Sequence, residues 1–160
     1  MSYWNWVDCN GIALKCRMTL KYQPRTRAVL MCRFDGFNEP EMVKTRPVVI
    51  LAKHKHNSKL VTVVPLSTTA PEKMCVHHHL LSSNPKPGED KTKQVWAKCD
   101  MIYTLSTDRL ELFSIRTRQG RQTVSACVGE ADFESIRDAV RAALSLHSPL
   151  LASVPDAVLA

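Results

Sequence analysis

An arginine and two hydroxyl residues flank a pair of neighbouring apolar segments in this 160-residue chain. Arg46 directly precedes residues 47–52, and Ser67 and Thr68 directly follow residues 60–66. A guanidinium can hold a phosphate through two parallel hydrogen bonds and stabilise charge that develops on phosphorus, while a hydroxyl can donate to a phosphate oxygen. A rim arginine and locally bonded strand-end hydroxyls also explain each residue taken alone. Together, the three predict a site for a phosphodiester or another anion.

Lys98 and Asp100 interrupt another apolar segment, residues 95–102. Residues two apart on a strand share one face, so the two side chains are predicted to lie together. They form either a rim ion pair of little energy or an acid and a cation that face one cleft. We favour the cleft, because charged residues are unusual in so apolar a segment.

Cys75 and the histidines at 77–79 raise the question of a metal site. Adjacent residues of a strand point to opposite faces, so only His77 and His79 could share an ion. No CxxC or HxxxH spacing supplies further ligands. We therefore predict no metal site.

Positive charge favours a polyanionic partner. The net charge is +7 and the pI is about 9.3, and Lys and Arg supply most non-specific affinity for nucleic acid. One basic group crowds the turn between the two apolar segments, and a second lies near residue 118. The two histidines of the first group, His54 and His56, could act as acid or base near RNA, although a solvated basic turn explains them better. The predicted RNA-binding residues are Lys44, Lys53, His54, Lys55, His56, Lys59, Arg116 and Arg118.

Length and hydropathy restrict the class of protein. The chain is long enough for one domain with one core. No apolar run reaches the roughly 18 residues that a membrane-spanning helix needs, and the first residues lack a secretory pattern, so a cytoplasmic protein is expected. The six cysteines form no CxxC pair. Three fall in apolar segments and are expected in the core: Cys32, Cys99 and Cys127.

Short apolar segments separated by turns must position these residues. Those at 47–52 and 60–66 are rich in Val, Ile and Leu, which is typical of strands buried on both faces, and the turn at 57–58 predicts an antiparallel hairpin. The connection at 35–45 is long, as functional loops often are, and 82–92 is predicted to be a loop. Strands are predicted at 28–34, 47–52, 60–66, 76–81, 95–102, 110–115 and 123–128.

The hydrophobic period then changes to that of a helix. A helix is predicted at 130–146, ending before Pro149 and packing one stripe on the sheet. The stripe consists of Phe133, Ile136, Val140, Ala143 and Leu144.

Three parts are expected along the chain. Residues 1–17 are interpreted as an N-terminal extension, 18–147 as the domain, and 148–160 as a flexible tail. Translation could start at Met1 or Met18.

The segments EMVKTRPVVILAKH and VTVVPLST, with the later KCDMIYTLSTDRL and the amphipathic helix, resemble the PemK/MazF family of toxin endoribonucleases, and within it the YifN-like branch. The resemblance spans about residues 28–146. It implies a mostly β fold with a C-terminal helix, a small SH3-like barrel of the CcdB/MazF type, usually as a homodimer. It also implies cleavage of single-stranded RNA without metal or cofactor, through a 2′,3′-cyclic phosphate, and a possible cognate antitoxin.

The same resemblance assigns the catalytic residues. Arg46 matches the family's arginine before Pro-Val-Val, Ser67 matches its active-site hydroxyl with Thr68 as the alternative, and Lys98-Cys99-Asp100 matches an Arg-Cys-Asp motif. Lys98 and Asp100 are then expected to handle proton transfer or positioning.

The chain also departs from the family pattern. Lys98 replaces an arginine, Tyr103 stands where many members have another arginine, and the loop before Arg46 lacks a histidine that some members use. A non-catalytic module that binds nucleic acid or protein is therefore the alternative. A third possibility is an adaptor anchored by Trp4 and Trp6.

Overall fold

The computed structural model describes Leu20 and residues 22–146. Within this part the chain forms ten strands, one turn of 3₁₀ helix at Thr107–Arg109 and a C-terminal α-helix. The strands are β1 (Ala28–Cys32), β2 (Arg46–Lys53), β3 (Leu60–Ser67), β4 (His78–Leu80), β5 (Trp96–Lys98), β6 (Tyr103–Ser106), β7 (Leu110–Glu111), β8 (Phe113–Thr117), β9 (Gly120–Val124) and β10 (Ala126–Cys127), and the helix is α1 (Glu130–Ala143). The mostly β fold with a C-terminal helix is confirmed. No helix of the described part is long and apolar enough to cross a membrane.

The predicted extension and tail lie outside the described residues. So do Trp4, Trp6 and the alternative starts, and the three-part division of the chain stays a prediction.

Strand β3 is the centre of the sheet. It pairs antiparallel with β2 in the predicted hairpin, and its other edge pairs first with β6 and then with β5. The strand order is β10-β1-β2-β3-β5-β4, with β7 on β1, while β8 and β9 form a separate hairpin. In the described part of the chain this hydrogen-bonded ladder does not close into a ring, so the small barrel is an open one.

The central strands are buried on both faces, as their composition predicts. Val48 and Ile50 point into one apolar cluster with Leu110, and Val49 points into another. The second cluster is covered by α1 through Phe133, Ile136, Ala139 and Val140. Burying each Val or Ile fully contributes about 1.5–3 kcal/mol, so the sheet core holds the ends of β2 and β3 firmly.

Several predictions differ from the structure. The predicted strand 110–115 is divided between β7 and β8, and the predicted strand 123–128 between β9 and β10. Only Trp96–Lys98 of segment 95–102 is a strand, because the chain turns at Cys99 and Asp100, and the next strand, β6, begins at Tyr103. The helix ends at Ala143 and leaves Leu144 54% exposed, since the chain turns at Ser145 with a φ of 53°. Cys127 is exposed rather than in the core, because the two-residue β10 forms an edge of the sheet.

The long loop 35–45 is anchored to the core. Phe37 and Met42 pack against the cluster that contains Val48. The Tyr103 ring lies 5.5 Å from that of Phe37, and its hydroxyl accepts a hydrogen bond from the Met42 N–H at 3.1 Å. Tyr103 therefore fixes the loop that leads to the start of β2.

Candidate functional site

Sheet register brings the predicted arginine and hydroxyl together. Val48 of β2 pairs with Pro65 of β3, and continuing this register by two residues places Arg46 opposite Ser67. On the other edge of β3, Ser67 pairs with Trp96 of β5. The guanidinium and the hydroxyl are thus positioned by neighbouring strands of the best-buried part of the sheet.

Arg46, Ser67 and Thr68 line one cavity of about 250 Å³. Arg46 is half-buried, and its Nε is buried without a hydrogen-bond partner among the described residues. Ser67 is buried, and its Oγ accepts the N–H of Thr69 at 3.1 Å, which leaves the hydroxyl proton for another acceptor. An unsatisfied buried donor costs about 1–3 kcal/mol. Since the Nε is buried, an anion in the cavity would have to contact the guanidinium through its terminal nitrogens.

A segment that the sequence indicated only as a loop forms another wall of the cavity. Its centre is Asn84, which is 2% exposed. The Asn84 Nδ2 donates to the carbonyl oxygen of Asp90 at 3.0 Å, and its Oδ1 accepts the N–H of Lys86 at 3.0 Å. Asn-Pro and Pro-Gly signals predicted turns here, but not that an amide would fold them against the site.

This loop adds charge that the sequence interpretation missed. Lys86 and Lys93 both line the cavity, and both form ion pairs with Glu89. The hydrogen bond from Lys86, helped by the positive charge of both lysines, holds the pKa of Glu89 below its usual value. With Arg46, three cations face one carboxylate among the described lining residues, so the cavity attracts anions.

The predicted arginine cluster lies on the separate β8–β9 hairpin. Arg116 pairs with Arg121, and Arg118 is in the turn between them; all three are exposed. Gly88 of the cavity loop lies close to this hairpin, since a Cβ built on it would be 3.5 Å from the Ile115 Cγ2. The basic hairpin therefore stands beside one wall of the cavity.

The other predicted RNA-binding cluster lies far from the cavity. Its members are exposed at the β2–β3 turn, whereas Arg46 and Ser67 are at the opposite ends of these eight-residue strands, about 20 Å away along the strand. His54 caps the turn by accepting the N–H groups of His56 and Asn57. Lys53, Lys55 and Lys59 share this location, while exposed Lys44 is two residues from Arg46.

Lys98 and Asp100 do not line the cavity. Trp96 takes the position opposite Ser67, so Lys98 is about 7 Å further along β5, where it pairs with His78. The strand ends at Lys98, and the turn carries the Asp100 Oδ2 to 3.8 Å from the His77 Nε2. The structure therefore groups this pair with the histidines and not with Arg46.

The three consecutive histidines have different surroundings. The rings of His77 and His78 lie 4.3 Å apart, and burial, followed by the charge of His77, lowers the pKa of His78. The His79 Nε2 instead lies 3.0 Å from the Oδ1 of buried Asp132 in α1. Ser82 donates to Asp132 through its N–H and its hydroxyl. Burial alone would raise the pKa of Asp132, but these hydrogen bonds outweigh it and lower the pKa.

Comparison with known proteins agrees with this architecture. A sequence model described as "PemK-like, MazF-like toxin of type II toxin-antitoxin system" matches residues 25–144. The Escherichia coli (strain K12) protein YifN is 29% identical over 143 residues, which cover 77% of this chain and 93% of YifN. MazF from Deinococcus radiodurans superposes with a TM-score of 0.56 at 16% identity, covering 78% of this chain and 99% of MazF.

A second solved structure has the same fold. It is an endoribonuclease in complex with its cognate antitoxin from a mycobacterial species, with a TM-score of 0.52 and 21% identity over 79% of this chain and 99% of the other. The family match covers most of the chain, including both walls of the cavity. The chain therefore belongs to the PemK-like, MazF-like family of type II toxins.

Proposed function

We propose that this protein is an endoribonuclease that cleaves single-stranded RNA in the Arg46 cavity without a metal ion. The observation that carries the proposal is that Arg46 lies opposite the buried Ser67 in a cavity whose described lining holds three cations and one carboxylate. Such donors suit a phosphodiester, whose charge grows during transesterification. Family membership supports the same activity.

In the proposed reaction the ribose 2′-oxygen attacks the adjacent phosphorus. The new O–P bond forms as the bond to the 5′-oxygen breaks, which leaves a 2′,3′-cyclic phosphate and a 5′-hydroxyl. Arg46 holds the non-bridging oxygens, and Ser67, or alternatively Thr68, donates to one of them. These contacts strengthen as negative charge develops, so they accelerate the step and do not merely bind substrate.

Lys86 and Lys93 are proposed to bind the flanking phosphates. The lowered pKa of Glu89 makes it a poor proton acceptor, so its role is to position the two lysines. The proton leaves the 2′-hydroxyl and another reaches the 5′-oxygen. The assignment of these transfers to Lys98 and Asp100 stays a prediction, since neither lines the cavity.

The test is cleavage of a mixed single-stranded RNA pool by the purified full chain in EDTA. Wild-type protein is expected to yield cyclic phosphate and 5′-hydroxyl ends, and Arg46→Ala to cleave about 100- to 1000-fold more slowly. Arg137→Ala, an exposed helix arginine, is the control and should cleave as wild type, with matching circular dichroism for all three. Intact RNA with wild-type protein, or equal rates for Arg46→Ala, would overturn the proposal.

The second candidate is a binding module on the same fold without cleavage. The observation that favours it is the placement of Lys98 and Asp100 outside the cavity, together with lysine in place of the family's arginine. RNA binding that weakens steeply with salt, without any cleavage, would identify this function.

We also propose a cognate antitoxin, a homodimer and a cytoplasmic location. Support for the antitoxin comes from the related endoribonuclease solved with its own, and the net charge of +7 favours an acidic partner. Light scattering of the purified chain, alone and with an acidic protein encoded beside its gene, would test both assemblies.

A further inference from the structure

A thiol and two imidazoles meet at the turn before β4. The potential ligand atoms of Cys75, His77 and His78 lie within 4.8 Å of one another, and all three residues are half-buried. Among the described residues Cys75 has no disulfide partner. This group is separate from the Arg46 cavity, whose lining contains none of the three.

Adjacent histidines can share an ion here, because the alternation of side chains along β4 does not extend to His77. His77 is in the turn, and β4 begins only at His78, so their rings are not forced to opposite faces. His79, which is within the strand, does point elsewhere and binds Asp132. The sequence predicts that only His77 and His79 could share an ion, whereas the structure brings His77 together with His78.

Two further contacts bear on metal ligation. The His78 Nδ1 accepts the Cys75 N–H at 3.2 Å, which holds the imidazole beside Cys75. This bond occupies the lone pair of Nδ1, so either Nδ1 gives the bond up to bind the ion or Nε2 serves as the ligand atom. The Asp100 Oδ2 lies 3.8 Å from the His77 Nε2. A carboxylate there can serve as fourth ligand or orient the imidazole.

We propose that Cys75, His77 and His78 bind a zinc ion, with Asp100 completing the site. One thiolate, two imidazoles and a carboxylate are a donor set that Zn²⁺ takes in tetrahedral geometry. Zn–S of about 2.3 Å and Zn–N of about 2.0 Å imply ligand separations of roughly 3.3–3.7 Å, so the side chains must close by about 1 Å. The thiol releases its proton on binding.

Such an ion would act as a structural clamp. Cys99 donates its backbone N–H to the carbonyl oxygen of His77 at 3.2 Å, and His78 pairs with Lys98. A bound zinc would add a third link between this turn and the end of β5. The proposal is independent of RNA cleavage, which is proposed to need no metal.

The test uses the full chain without an affinity tag, loaded with Zn²⁺ or Co²⁺. Co²⁺ is expected to give a thiolate charge-transfer band in the wild type, in Cys127→Ser and in His56→Ala, and Cys75→Ser to lose it. The two controls remove an exposed thiol and an exposed imidazole outside the group. Asp100→Asn is expected to weaken Zn²⁺ binding about 10- to 100-fold.

A Cys9→Ser/Cys16→Ser variant identifies the thiol, and it is expected to keep the band. As a measurement that needs no substitution, Zn²⁺ should protect Cys75 but not Cys127 from iodoacetamide, read by peptide mass spectrometry. An unchanged band in Cys75→Ser, its loss in Cys9→Ser/Cys16→Ser, or equal alkylation of Cys75 with and without Zn²⁺ would each overturn the proposal.

Discussion

The Arg46 cavity and the Cys75–His78 turn lie on the same sheet but are built differently. The cavity stands at the ends of two eight-residue strands that are buried on both faces. The turn leads into a three-residue strand at the edge of the sheet. The cavity is lined by the cationic side chains of an arginine and two lysines, whereas the turn contains a thiol and two imidazoles. The proposed anion site is therefore already formed by the sheet core, whereas the proposed metal ligands at the sheet edge would have to be drawn together by the ion.

Substitutions at Ser67 and Asp100 test whether the two regions are functionally separate. Ser67→Ala should slow RNA cleavage about 100- to 1000-fold, because one donor to the developing charge is lost. Asp100→Asn should slow cleavage less than Ser67→Ala does, since Asp100 contacts His77 and does not line the cavity. Rates are measured on one labelled RNA in EDTA.

A larger loss of cleavage in Asp100→Asn than in Ser67→Ala would mean that the two regions act together in cleavage. A large loss of cleavage in Asp100→Asn, with RNA affinity retained, would give Asp100 the proton-transfer role that the family motif implies. Thr68→Ala, an exposed neighbour, is the control for Ser67 and should have the smaller effect.

Substitution of Asp132 tests whether its hydrogen bonds to His79 and Ser82 hold the edge strand β4 against α1. Its pKa is lowered in the folded state, so its stabilising contribution is present above pH 3.8 and is lost as the pH falls through the folded-state pKa. Asp132→Ala should lower the free energy of unfolding at pH 7 by about 2 kcal/mol, because the bonds from Ser82 and His79 are lost.

The variant should also lose part of the acid dependence of stability, measured by urea unfolding from pH 7 downward. Asp138→Ala removes an exposed aspartate of the same helix and should cost less than about 0.5 kcal/mol. Equal losses for the two variants would mean that α1 does not hold β4 through Asp132.

Substitutions of Lys93 and Lys55 compare RNA binding at the cavity with RNA binding at the distant β2–β3 turn. The expected change in affinity is the smallest of the effects predicted here. With RNA methylated at every 2′-oxygen to prevent cleavage, Lys93→Ala should reduce the slope of log affinity against log salt by about 0.7, the value for one single-strand phosphate. Lys55→Ala should change it less. Equal changes would extend the bound RNA to that turn.

The sequence predicted those parts of the molecule that local composition determines. Runs of Val, Ile and Leu identified β2 and β3, and helical spacing identified α1. Strand β6 was missed because its alternate residues, Thr104 and Ser106, are polar and gave no apolar run. Cys127 was predicted to be buried because it lies in an apolar segment. Its exposure follows from the position of β10 at the edge of the sheet, and strand order cannot be read from local composition.

The candidate site was predictable only where the residues occupy neighbouring strand ends. Arg46 and Ser67 needed a single hairpin, which the sequence indicates. Lys98 required the register between β3 and β5, and that register places Trp96 opposite Ser67 instead. The Asn84 loop depends on side-chain hydrogen bonds that no hydrophobic period reveals.

Loop 35–45 is held in place without a ligand, because Phe37, Met42 and Tyr103 fasten it to the core. The conformational entropy of its backbone, about 1–2 kcal/mol per residue, is therefore lost on folding and not on association. The proposed binding of RNA therefore needs no closing motion of this segment. The heat-capacity change of binding should reflect only the surface that the RNA covers. Electrostatic attraction to the basic cavity should accelerate association, and the association rate should therefore fall as ionic strength rises.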